Sequence, residues 1–244
     1  MLRGRRCLVT GGSRGLGLEF CLAFARAGAR IAFTYSKDDG DAAEARARIA
    51  AAGTEPVVYK GSVADGVHAR KTVDDLVARW GGIDVLVNNA AVNQILPIAL
   101  LEEEDWDAVM DVNVKGAYLF SRAALRHMIK ARGGSILNVG AFSSERIIEA
   151  PVHFAASKSA LRGLTEALAR EVGRYSIAVN LLAPGILDCG MALSLPQHRI
   201  DEYVSQSALK RTGTAREVAR MAVFLVSEEN SFMTGAKLPL DGGV

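Results

Sequence analysis

The chain carries only three cysteines in 244 residues, Cys7, Cys21 and Cys189. Their odd number and the lack of any CxxC pair argue against a disulfide framework and a cysteine-based zinc site, and suit a reducing cytoplasm. No apolar run approaches the roughly 18 residues of a membrane span, and the apolar stretch before Gly11 is too short for a secretory leader. A membrane role is therefore not expected, and the protein is expected to stay in the compartment where it is made. Neither sign of charge dominates: 29 Lys and Arg stand against 27 Asp and Glu, scattered along the chain, so no footprint for nucleic acid is expected. The local cluster Arg3, Arg5 and Arg6 reads as a solvated strand entry. With six prolines and no repeat or low-complexity tract, nothing divides the chain, and one domain over 1–244 is expected.

What the sequence does have is an apolar half and 24 glycines, the profile of an α/β domain. Short β-rich runs fall at Cys7 to Thr10, Ile31 to Tyr35, Val57 to Tyr59, Val85 to Val87, Ser135 to Val139, Ile177 to Leu182 and Lys237 to Leu240. Amphipathic helical patterns lie between them at Gly15 to Ala27, Asp41 to Ala52, Ala64 to Arg79, Trp106 to Ala131 and His153 to Gly173. Alternation of this kind predicts a Rossmann-type, doubly wound parallel sheet of seven strands with helices on both faces. The stretch from Gly190 to Leu209 breaks the rhythm beyond the sixth strand's carboxyl end, where such sheets hold ligands, and reads as a lid.

The first strand runs straight into Thr10-Gly-Gly-Ser-Arg-Gly-Leu-Gly17 and then into a helix. That context makes a glycine loop informative, because glycines admit the backbone to a pyrophosphate and the helix N-terminus offers it unpaired N–H groups. Gly11, Ser13, Arg14, Gly15, Leu16 and Gly17 are the candidate phosphate-binding residues. At the end of the second strand, where an acid would meet a ribose 2′-hydroxyl, stand Tyr35, Ser36 and Lys37. Arg14 and Lys37 could pair with a 2′-phosphate, which favours NADP(H), while Asp38 and Asp39 nearby oppose it.

Taken in order, several motifs resemble the short-chain dehydrogenase/reductase family along nearly the whole chain, and within it the 3-oxoacyl-(acyl-carrier-protein) reductases. They are the TGxxxGxG form of the loop, Asn88-Asn89-Ala90-Ala91, Asn113, the run ending at Lys158, Pro184-Gly185 and Asp241-Gly-Gly. The resemblance implies hydride transfer between a nicotinamide and a carbonyl carbon. It assigns Lys158 to the nicotinamide ribose and to lowering a tyrosine's pKa, and Asn113 to a water-linked proton relay. It adds Ser62, Val63, Asn89, Ala90, Ala91, Pro184, Gly185, Ile186 and Cys189 to the cofactor contacts. Ala91 stands where the family has glycine, Cys189 where threonine is common, and Ser62 where an aspartate often meets adenine.

Two positions depart more sharply. The family's tyrosine, four residues before the lysine, falls on Phe154; its serine, thirteen residues earlier, falls on Ala141. Phenylalanine donates no proton, and loss of a positioned acid costs a factor of about 10² to 10⁴. Each change removes one oxygen and keeps the carbon shape, so folding and cofactor binding should survive. Three explanations stand open: a deliberately disarmed reductase, a natural inactive subunit beside an active partner, and a rewired site.

For rewiring, Ser143 and Ser144 read first as turn residues, His153 as a surface or packing residue, Tyr118 and Tyr203 as packing residues, and Glu145 and Glu149 as solvated loop charge. Lys210 and Arg211 read as solvated, or as attracting an acidic carrier. The expected substrate is a small-molecule or carrier-bound ketone. The resemblance further implies a homotetramer, or a heteromer with an active reductase.

Overall fold

The computed structural model describes residues 1–144 and 149–244; Glu145, a mouth residue by sequence, lies outside them. Seven strands form one sheet: β1 Arg6–Val9, β2 Arg30–Tyr35, β3 Val57–Lys60, β4 Val85–Asn88, β5 Gly134–Val139, β6 Ile177–Pro184 and β7 Lys237–Leu240. All six pairings are parallel, in the order β3-β2-β1-β4-β5-β6-β7. The direction of winding reverses between β1 and β4, and the crevice above their carboxyl ends is where such sheets bind ligands.

Eight α-helices cover the sheet among the described residues: α1 Gly15–Arg26, α2 Asp39–Ala51, α3 Gly66–Trp80, α4 Glu103–Met110, α5 Gly116–Ala131, α6 Val152–Val172, α7 Gln197–Gln206 and α8 Ala215–Leu225. The two-residue period of a strand sends alternate side chains to opposite faces. Thus Cys7 and Val9 of β1, with Val85 and Val87 of β4, join Phe20 and Phe24 of α1, Ile49 of α2 and Leu225 of α8. Leu8 and Leu86 join Leu76 of α3, Phe120 and Met128 of α5 and Val172 of α6 in the other core.

The expected helix from Trp106 to Ala131 is two helices. Between α4 and α5 the backbone widens into a π-turn at Asp111–Lys115, with buried Asn113 at its centre. Such bulges recur at functional sites because they re-aim a side chain that a regular helix would point elsewhere. Helix α8 falls outside the sequence reading altogether. Its start is fixed by a capping box in which Thr214 Oγ1 accepts from Glu217 N while the Glu217 carboxylate accepts from Thr214 N.

The arginine cluster is not simply solvated. Arg6 grips Asp84 with Nε at 2.8 Å and Nη2 at 2.6 Å, tying the entry of β1 to that of β4. Burial of Asp84 pushes its carboxyl up, but the bonds from Arg6 outweigh it and hold the group below the usual range. Arg211 forks onto Glu217 at 3.0 and 2.7 Å, so it too is engaged. No helix among the described residues is long and apolar enough to cross a membrane.

Candidate active site

The glycine loop is built by close approach. Gly11 and Gly15 take φ of +65° and +53°, a region side chains other than glycine's seldom adopt. At Gly17 a Cβ would collide with the Gly11 carbonyl and the Asn89 amide. Asn89, one residue past β4, fastens the loop by donating its Nδ2 to the carbonyls of Thr10 and Gly11 at 3.0 and 3.1 Å. Thr10 Oγ1 accepts in return from the backbone N–H of Asn89 and Ala90. Arg14 is the N-cap of α1 but gives no side-chain cap. Asp38, Asp65 and Thr214 do cap α2, α3 and α8. The amides of Gly15, Leu16 and Gly17 thus begin a helix with no side-chain acceptor of their own, which suits a pyrophosphate.

Ser13 is half-buried in the same loop; Gly15 packs close to Gly190 and, with Leu18, Cys189 and Thr214, lines a cleft of about 360 Å³. Burial pushes the Cys189 thiol up to about 11, so it stays protonated near neutrality.

At the carboxyl end of β2, Lys60 and Arg14 are already engaged. Tyr35 donates its hydroxyl to Asp39 at 2.8 Å, and Lys60 Nζ donates to the same carboxylate at 2.8 Å. The bond from Lys60 first, and that from Tyr35 second, hold the Asp39 carboxyl below its usual range. Arg14 pairs with Asp41 at 3.6 Å. Ser36 and Lys37 are exposed in the turn before α2. Beyond β3, exposed Ser62 accepts from Ala64 N, and buried Val63 packs under Gly116.

On the other side of the crevice, a chain of buried amides locks the sheet to its helices. Asn88 donates to Asn138 at 2.8 Å and to Ser121 at 2.9 Å, Asn138 donates to Thr165 at 2.8 Å, and Thr165 donates to the Leu161 carbonyl. Asn113 then clasps the backbone of Val92, accepting from its N–H at 2.8 Å and donating to its carbonyl at 3.0 Å, and also donates to Ser157 Oγ at 3.0 Å. Half-buried Ala91 lies immediately before this clasp.

One turn of α6 presents Phe154 and Lys158 together. Lys158 is buried, donates to the Val139 carbonyl at 2.8 Å, and lies 5.5 Å from the centre of the Phe154 ring. Burial lowers its pKa to about 8. Ala141 lies two residues beyond Val139, and its carbonyl accepts from Ser144 Oγ at 2.7 Å. The structure therefore places Asn113, Phe154 and Lys158 on one linked framework with the strand end that leads to Ala141. Ser144 is held as a turn residue; the neighbouring Ser143 Oγ is enclosed with no hydrogen-bond partner among the described residues.

The third wall is the end of β6. After Pro184, Gly185 donates to the Leu240 carbonyl, and buried Ile186 accepts from Gly213 N. The segment read as a lid forms a short 3₁₀ turn at Gly190–Ser194 and then α7. Tyr203 of α7 is buried as expected, with its hydroxyl donating to the Asp241 carbonyl at 2.6 Å and its ring edge-on to Phe142 at 5.1 Å.

Other expectations are corrected. Tyr118 is not packed but 46% exposed. Glu149 is not merely solvated: it pairs with Arg199 of α7, which holds its carboxyl low. His153, read as a surface or packing residue, is the latter: it is fully buried, neither ring nitrogen has a hydrogen-bond partner among the described residues, and burial lowers its pKa. Sequence reading also missed Ser157 and Lys60. Ser157 follows from the helical spacing of Phe154 and Lys158, whereas Lys60 is brought to Tyr35 only by strand register.

Comparison with known proteins agrees with this fold. The family model described as Enoyl-(Acyl carrier protein) reductase matches residues 11–244. The 3-oxoacyl-[acyl-carrier-protein] reductase FabG of Thermotoga maritima is 36% identical over 244 residues, covering 100% of this chain and 98% of the relative. Among solved structures, a short-chain dehydrogenase from Burkholderia cenocepacia J2315 in complex with NADP superposes with a TM-score of 0.92 at 36% identity, covering 99% of this chain and 98% of that one. A short-chain dehydrogenase/reductase from Serratia marcescens BCRC 10948 superposes with a TM-score of 0.93 at 34% identity, again over 99% and 98%. The chain belongs to the short-chain dehydrogenase/reductase family.

Proposed function

We propose that this protein is an NADP(H)-binding ketoreductase scaffold for 3-oxoacyl or similar ketones, catalytically impaired as its sequence stands. The similarity to FabG and to the NADP-bound Burkholderia enzyme supports the substrate class and the cofactor. The observation that carries the reading is the intact surround of Phe154: Lys158 anchored to Val139, Ser157 to Asn113, and Asn113 to Val92.

In such a frame the loop from Gly11 to Gly17 would hold the pyrophosphate, Arg14 and Lys37 a 2′-phosphate, and Lys158 the nicotinamide ribose. When bound, the cofactor would supply a hydride acceptor and donor. The chain's own residues would bind and orient. Its buried amides fix the crevice walls, the uncapped start of α1 faces the phosphates, and Lys158 offers N–H groups beyond the one given to Val139.

What the framework lacks is a hydroxyl at either position next to the reacting carbonyl. Phe154 has no proton for a developing oxyanion, and the methyl of Ala141 fixes no carbonyl oxygen. The deciding experiment restores Phe154→Tyr and Ala141→Ser together and follows NADPH oxidation with a panel of 3-oxoacyl thioesters and simple ketones. A gain of at least about 10² over the parent chain is expected. A double revertant that binds NADPH and stays inert rejects the disarmed-reductase reading.

The alternative is a non-catalytic subunit beside an active reductase. Trp106, Tyr118 and Phe232 are exposed, Phe232 completely, and would be open to a partner in a homotetramer or a heteromer alike.

A further inference from the structure

Two ion pairs spring from the first turn of α2, at the carboxyl edge of β2 where the adenosine ribose of a dinucleotide would lie. Asp41 reaches the glycine loop and pairs with Arg14 at 3.6 Å. Asp39 reaches the next strand and pairs with Lys60 at 2.8 Å, and the same carboxylate accepts from the Tyr35 hydroxyl. Tyr35 and Lys60 are register partners in β2 and β3, and Lys60 Nζ stands 5.9 Å from the centre of the Tyr35 ring. The third acid of the turn, Asp38, is spent on the cap of its own helix at Asp41 N. Every acid of this turn therefore has a place, and two of them sit on cations.

Both pairs are open to water. The side chains of Arg14 and Asp41 are 80% and 36% exposed, and those of Lys60 and Asp39 are 51% and 67% exposed. Exposed pairs of this kind are weak and readily exchanged. A phosphate group carries more charge than one carboxylate, and binds guanidinium and ammonium groups by strong charge-assisted hydrogen bonds. Arriving at this edge, it would meet the same two cations that the carboxylates already hold. Left in place beside it, either carboxylate would repel it.

We propose that Asp39 and Asp41 are resident anions of the 2′-phosphate site, that the phosphate displaces them, and that Lys60 is a phosphate-binding residue along with Arg14. The proposal rests on the dinucleotide reading of the glycine loop and adds to it a second strand's cation and a carboxylate competition. Preference for NADPH over NADH is then set by how easily two side chains give way, as well as by the number of cations. Lys60 has a double part: it attracts the phosphate, and until then it neutralises Asp39.

The test is a set of fluorescence titrations of NADPH and NADH, with adenosine 2′,5′-bisphosphate and AMP as competitors, on the parent chain and on Asp41→Asn and Lys60→Gln. The altered residues lie at the surface, and circular dichroism checks that both variants fold. Asp41→Asn is expected to tighten NADPH and the bisphosphate by on the order of threefold, the scale of one exposed ion pair, and to leave NADH and AMP unchanged. Lys60→Gln is expected to weaken NADPH and the bisphosphate by about tenfold, again sparing NADH and AMP. Equal shifts for phosphorylated and unphosphorylated ligands, or no shift in either variant, overturn the proposal. Failure of the parent chain to bind any of the four ligands overturns the dinucleotide reading itself, and this one with it.

Discussion

Lys158 lies 5.5 Å from the centre of the Phe154 ring while donating to the Val139 carbonyl at 2.8 Å, so a buried ammonium is shared between one backbone oxygen and an aromatic face. Such a face attracts a cation but offers it no proton to exchange.

The first prediction concerns that ammonium. Its pKa falls from 10.5 in the unfolded chain to about 8 on burial, so between those values the unfolded state binds more protons and stability rises with pH. The burial penalty is full below pH about 8 and is relieved as the pH climbs towards about 10.5. Urea midpoints at about pH 7 and about pH 9.5 should therefore converge with those of Lys158→Met, which has no charge to bury. A parent chain that loses stability relative to Lys158→Met over that interval contradicts the assignment.

Asn113 makes three hydrogen bonds from the centre of the π-turn, two of them to one backbone residue. Asn113→Ala leaves the Val92 amide and carbonyl without their partner and should cost about 2–3 kcal/mol. Thermal unfolding followed by circular dichroism measures it. A change below about 0.5 kcal/mol would mean that water replaces the clasp without loss.

At the glycine loop, Gly17→Ala puts a methyl group against the Gly11 carbonyl and the Asn89 amide, which are hydrogen-bonded to each other. NADPH binding should fall by at least about tenfold, since the loop must open to admit the methyl. Fluorescence titration reads the effect, and retained affinity would show the loop to be softer than its contacts suggest.

For α8, Thr214→Ala removes the cap that accepts from Glu217 N and should lower stability by about 1 kcal/mol. Thr214→Ser keeps the oxygen and should recover most of the loss. Chemical denaturation of the two variants side by side separates the cap from any role of the threonine methyl group.

The strand-loop-helix unit from Arg6 to Arg26 was legible because glycine spacing and hydrophobic period act over a few residues, and the structure returns the seven strands close to where their apolar runs lie. The break between α4 and α5 was not, since the helical pattern of apolar residues runs on through Val112 and Val114 while the backbone widens around Asn113. Helix α8 carries its capping signature, Thr214 to Glu217, in the sequence, but it follows a long irregular stretch instead of leaving a strand directly, which hides the crossover. Pairings such as Arg6 with Asp84 and Lys60 with Asp39 join residues 78 and 21 positions apart, which meet only once β1 lies beside β4 and β2 beside β3. Of the candidate site, the positions of Phe154, Lys158 and Asn113 came from the resemblance to the short-chain dehydrogenase/reductase family, with Phe154 four residues before Lys158. The burial of His153, which one helical step cannot foretell, came only from the packing around α6.

Tyr203 gives its hydroxyl to Asp241, close to the last residue of the chain, and its ring to Phe142, which follows Ala141. The turn at Asp241 is thereby a strut of the crevice rim. A change that loosens it unseats α7 and, through the Tyr203 ring, reaches the turn that carries Ala141.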